Sequence, residues 1–170
     1  MYRASNILAS VIISGFLSMP VMRAPRATAP VLSPQQSDLA IIVNKSNPIQ
    51  NLSMTELREL FLAERSHWST RQKIRVAMRE SGAPEREAIL RLVCGMSRDQ
   101  DFTTHFLRAK FSEQVIDEPR SLNSAPNMIR FVANVVGAIG YVRADEVDPS
   151  VRVIRVDDLS PGDPGYKLRF

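Results

Sequence analysis

The sequence predicts an α/β fold: a mostly parallel sheet flanked by helices. Three observations carry that reading. Strand-like and helix-like stretches alternate along the chain, as in a layered α/β domain. Runs such as LAIIV (39–43) are continuously apolar, which suits strands covered on both faces. The chain has 170 residues, enough for one domain with one sizeable core.

The elements follow in order. LAIIV reads as a buried strand, ended by Asn44-Lys45-Ser46-Asn47-Pro48. Ser53-Met54-Thr55-Glu56 is a capping box, with Ser first and Glu three residues on. It opens a helix through LRELFL whose apolar stripe is Leu57, Leu60 and Phe61. A polar connection containing Trp68 leads to KIRVAMR (73–79), where Ile74, Val76 and Met78 alternate with charged residues as in a strand. Pro84 fits a first helical turn, where its missing N–H costs little, and the helix runs from Glu85 to Cys94. Gly95 suits the left-handed position that ends it.

Ser97 is a cap for DQDFTTHFLRAKF (99–111), with Phe102, Phe106 and Leu107 facing inward. A connection containing Pro119 follows, then Ser124 caps PNMIRFVAN. VVGAIGYVR (135–143) is an apolar strand carrying two glycines, and VRVIRV (151–156) is the last strand. This makes four or five strands and four helices over residues 38–156. Residues 157–170, rich in Pro, Gly and Asp, read as a loosely ordered tail.

The formal charge of +4 is concentrated at the N-terminus, where Arg3, Arg23 and Arg26 stand among residues 1–29 with no acid. The remainder is close to neutral and has no basic run, so no nucleic-acid footprint is present. Residues 1–29 read as a signal peptide: Arg3, the apolar stretch ILASVIISGFLSMPVM, and a small-x-small site at Ala27-Thr28-Ala29. The apolar stretch is short for a membrane span, though an uncleaved anchor is the alternative, and Pro30 leaves the cleavage position open. Residues 30–37 form a linker, and the expected location is the periplasm. Cys94 is the single cysteine and sits on an apolar helix face, which marks a core residue. His67 and His105 have no acid or nucleophile pattern near them, and no metal or cofactor motif occurs. No catalytic residue and no cofactor is expected.

Three stretches together resemble the phosphate-type periplasmic solute-binding proteins of ABC transporters. IIVNKSNPIQNLSMTELRELFL is similar to the start of that family's second lobe, where a hinge strand and an Asn-Pro element precede a helix and a loop with a tryptophan, here Trp68. KIRVAMRESGAPEREAI is similar to the family's strand–Arg–turn–helix, and VVGAIGYV to its Gly-Ala-Ile-Gly-Tyr return strand. The resemblance spans roughly residues 38–156. It implies one lobe plus hinge strands of a type II periplasmic binding protein, because only the leader and linker precede Leu39. A partner protein or a second copy would complete the cleft.

The resemblance also places the ligand site. Arg79 matches the family's motif arginine and Gly82 its first glycine, while Ala83, Pro84 and Glu85 stand where the family has Ser-Gly-Thr. Two hydroxyls and one backbone donor are thereby lost, and a carboxylate enters the first helical turn. The residues left to hold an oxyanion such as phosphate are Arg79, Ser81, Gly82 and Arg86. The competing readings are structural. Arg79 would pair with Glu80, Glu85 or Glu87, Arg86 with a neighbouring acid, and Glu85 would cap its own helix. Two functions follow: an exported solute-binding domain working with an ABC transporter, or an envelope protein-interaction module that has lost its ligand, with a homodimer as one form of it.

Overall fold

The computed structural model describes residues 37–112 and 117–170. The expected signal peptide, and the linker up to residue 36, lie outside the described residues.

The strands are β1 (Leu39–Val43), β2 (Asn51–Leu52), β3 (Arg75–Arg79), β4 (Arg120–Leu122), β5 (Ala138–Arg143), β6 (Arg152–Val153) and β7 (Arg155–Val156). The helices are α1 (Met54–Phe61), α2 (Pro84–Ile89), α3 (Asp99–Phe111) and α4 (Ala125–Asn134). A π-helical turn, Leu90–Cys94, extends α2 to Gly95, whose φ of 68° is left-handed as expected. The main sheet has the order β4-β3-β5-β1-β6. β3 pairs parallel with β4 and β5, whereas β1 pairs antiparallel with β5 and β6. Four strands therefore point one way and β1 alone points back. β2 and β7 form a separate parallel ribbon.

The alternation of side chains sorts the core into two layers. Ile41, Val43, Val76, Met78, Ile139 and Tyr141 share one cluster with α1, α2, the π turn and α3. Ile42, Ala77, Ala138 and Val142 share the other with α4. Gly140 lets α4 approach: a Cβ there would lie 2.6 Å from Met128 Sδ and 3.3 Å from Val132 Cγ2. The capping box is present, with Glu56 N–H donating to Ser53 Oγ and Ser53 N–H to Glu56 Oε2.

Five local expectations are corrected. Leu107 is exposed, and the inner face of α3 is Phe102, Phe106 and Ala109. The connection after Pro119 contains β4, whose three residues are too few to show a period. VRVIRV splits at Ile154, because β6 joins the main sheet and β7 joins β2. Ser97 does not cap α3. The residue before the helix is Arg98, and no side chain caps it. Residues 157–170 are not loose. Leu39 N–H donates to Leu168 O, Phe170 N–H to Ser37 O, and Tyr166 Oη to Leu39 O at 2.7 Å. Leu168 and Tyr166 belong to the core. The prolines and glycines of this segment shape turns that return the chain to the edge of the sheet, at the start of β1.

Candidate functional site

The C-terminal ends of β3, β4 and β5 form one edge of the sheet, and β1 begins there because it runs the opposite way. The turn expected to bind an anion lies at this edge. Arg79 ends β3, and its N–H donates to the buried Tyr141 hydroxyl at 2.9 Å. The chain then turns through Gly82, whose φ is +83°. Nothing lies within 4 Å of a Cβ built at Gly82, so backbone conformation, not space, calls for glycine. Ala83 precedes α2 without supplying a side-chain cap, and Pro84 opens the helix.

The four expected ligands part company here. Ser81 and Arg86 are brought together by a residue that sequence reasoning assigned only to a helix, Asp99. Ser81 Oγ donates to Asp99 Oδ2 at 2.8 Å, and Arg86 Nε donates to Asp99 Oδ1 at 2.5 Å. Arg86 is 9% exposed. It also donates Nη1 to Arg79 O at 2.9 Å and lies 5.0 Å from the centre of the Phe102 ring. Gly82 shapes the turn. Arg79 donates Nη2 to Asn123 O at 3.1 Å, while its Nε is buried without a partner among the described residues. None of Glu80, Glu85 and Glu87 forms an ion pair with Arg79, which corrects that pairing expectation.

Glu85 is 5% exposed and accepts from Arg143 Nε at 2.7 Å. Burial pushes its carboxyl up. The Arg143 hydrogen bond, its own N–H and the charges of Arg143 and Arg79 outweigh burial and hold it below its ordinary value. Asp99 follows the same pattern: burial raises it, while Arg86 and Ser81 lower it further. A third pair stands nearby, where Arg169 Nε meets Asp38 Oδ1 at 2.6 Å. The Arg169 hydrogen bond is the main cause of the lowered Asp38 carboxyl. Arg86, Arg143 and Arg169 thus each hold an internal carboxylate at this edge.

The signal for Asp99 was weak. An acid in a first helical turn is common with no further role, and the pairing spans a turn, a helix and a loop. Arg143 and Asn123 were equally silent, because each closes a contact between segments far apart in sequence.

A groove of about 220 Å³ opens beside the turn, lined by Ser81, Arg86, Phe102, Phe106, Pro119 and Ser121 among others. Among the described residues no group of three or more His, Cys, Asp or Glu is placed to hold a metal ion. Cys94 is buried, and burial pushes its thiol up to about 12. His105 Nε2 lies 3.1 Å from Leu62 O and His67 Nδ1 2.9 Å from Ser66 Oγ. Trp68 wedges its loop against the domain, donating Nε1 to Gly137 O at 2.9 Å.

No family model matches this chain. Among solved structures it is similar to an ABC-type phosphate transport receptor from Vibrio cholerae, with a TM-score of 0.64 and 24% identity over 79% of this chain and 54% of the other. It is similar to a putative phosphate ABC transporter substrate-binding protein with bound phosphate from Clostridium perfringens, with a TM-score of 0.60 and 22% identity over 74% and 47%. It is also similar to PstS from Borrelia burgdorferi, with a TM-score of 0.62 and 17% identity over 79% and 55%. The fold is that of phosphate ABC transporter substrate-binding proteins. The chain spans about half the length of these structures, and at such identities the likeness is one of fold. No helix among the described residues is long and apolar enough to cross a membrane.

Proposed function

We propose that this chain is an exported, solute-binding-protein-like domain whose anion-binding turn is closed by its own carboxylates. It acts in the periplasm as a protein-interaction module, not as a phosphate receptor. The observation that carries this reading is the Asp99 carboxylate, which takes both Ser81 Oγ and Arg86 Nε. A bound oxyanion would need those donors. Glu85 adds a negative charge at the position where the family resemblance puts a threonine. The proposed export rests on the leader pattern of residues 1–29. The fold points to an ABC transporter or another envelope protein as the partner, with a second copy of the chain as the alternative.

A second reading keeps a solute. Arg79 has no carboxylate in salt-bridge range among the described residues, and its Nε is buried without a partner. A small oxyanion held by Arg79 would satisfy it. Thermal unfolding with and without millimolar phosphate, at matched ionic strength, separates the two. A ligand at 100 times its Kd stabilises by about 2.7 kcal/mol, which moves Tm by roughly 5–10 °C for a domain of this size. The closed-site reading expects no shift with phosphate. A shift of that size, abolished by Arg79→Ala, establishes the second reading instead.

A further inference from the structure

Asp99 stands in an unusual relation to the turn it contacts. Its two carboxylate oxygens are divided between two donors, Ser81 Oγ and Arg86 Nε, as the oxygens of a bound oxyanion would be. The donors belong to the turn and to α2, whereas the acceptor is the first residue of α3. We propose that Asp99 is a built-in ligand: its carboxylate fills an oxyanion site made by Ser81 and Arg86. A tetrahedral oxyanion such as phosphate or sulfate binds there once the carboxylate is removed. The proposal rests on the closed-site reading above and gives that closure a residue and a mechanism.

Three further features support it. The cation is preorganised without Asp99. Arg86 is nine-tenths buried, and Arg79 O and the Phe102 ring hold its guanidinium from two other sides. The site is also reachable, because Ser81 and Arg86 both line the groove of about 220 Å³. Finally, the Asp99 carboxylate makes no capping hydrogen bond at the start of α3, so both of its oxygens serve the turn and α2. Removing the carboxylate leaves a buried guanidinium with an unmet charge, the condition under which a small anion gains most by entering. In the native chain the tethered carboxylate competes at high local concentration. A site closed roughly 99% of the time weakens an external anion about 100-fold.

The test is thermal unfolding of the whole protein in chloride, phosphate and sulfate at equal ionic strength. The set is the native chain, Asp99→Ala, Asp99→Asn and the double variant Asp99→Ala/Arg86→Gln. In chloride Asp99→Ala melts below the native chain. In about 10 mM phosphate it regains roughly 5 °C, while the native chain moves by less than about 1 °C. The regain is absent from the double variant. Should Asp99→Ala give little native protein, Asp99→Asn keeps the shape, and its urea midpoint in phosphate against chloride reads the same linkage. A folded Asp99 variant that does not distinguish phosphate from chloride overturns the built-in ligand. So does a gain that survives loss of Arg86. A native chain stabilised by phosphate through Arg79 instead overturns the closed-site reading, so the two failures are told apart.

Discussion

The two ends of the sheet are sealed by different chemistry. At the end where β3 and β5 begin, the buried seals are neutral, and the ion pairs there, Lys73–Asp117 and Arg75–Asp117, are half-exposed. Trp68 donates to Gly137 O, and Asn44 Nδ2 donates to Val132 O at 2.9 Å and Ala133 O at 2.8 Å. At the end where they finish, the seals are charged: Arg86–Asp99, Arg143–Glu85 and Arg169–Asp38. The neutral seals satisfy backbone carbonyls in or near the core and add apolar burial. Buried ion pairs spend much of their attraction on desolvation and are weak evidence for stability. On these grounds the first end is expected to contribute more to stability than the second. The second keeps arginines that a simpler packing would omit, and Arg86, Arg143 and Arg169 are each matched by an acid.

Substitutions at the two ends test that contrast. The largest effect is expected at the neutral end. Trp68→Ala removes a buried indole and its hydrogen bond, and should cost about 3–5 kcal/mol by chemical denaturation. A loss under about 1 kcal/mol would contradict the assignment of this end as the structural one. Asn44→Ala leaves two carbonyls without their donor and should cost about 2 kcal/mol, with the unfolding slope unchanged.

At the charged end the expected losses are smaller. Glu85→Gln keeps the shape and removes the charge facing Arg143, which is itself about one-third exposed and can rehydrate; a loss of about 1 kcal/mol at pH 7 is expected. The same substitution should alter the acid limb. The Glu85, Asp99 and Asp38 carboxyls are all lowered in the folded state. Their contribution is therefore full above the ordinary carboxylate values of 3.8 and 4.5 and is lost as pH falls through the folded ones. Glu85→Gln should lose less stability than the native chain between about pH 5 and pH 2. Parallel acid curves would show that the Glu85 carboxyl titrates alike in the folded and the unfolded chain. The smallest effect belongs to Arg169→Gln, whose cation is exposed; a smaller loss than that of Glu85→Gln is expected, shrinking further in high salt.

Much of the fold was legible in local chemistry. The capping box at Ser53, the left-handed glycine at Gly95 and the buried strand at Leu39–Val43 are properties of a few adjacent residues. The strand order was not legible, and neither was the lone reversed direction of β1. β4 stayed hidden because three residues carry no period. The segment 157–170 misled because Pro and Gly mark turns whether or not a turn packs. Tyr166 and Leu168 dock only because β1 offers them a partner.

The site divides the same way. The sequence alone showed that a turn shaped by Gly82 follows β3, and that Ala83, Pro84 and Glu85 bring it no hydroxyl and one N–H fewer. These are matters of residue type at adjacent positions. Only the tertiary structure decided what became of the charges. Asp99 is 18 positions from Ser81 and 13 from Arg86, and Arg143 is 58 from Glu85. A carboxylate finds its arginine across such distances through the packing of α3 and β5 against the turn, and no local pattern records that choice.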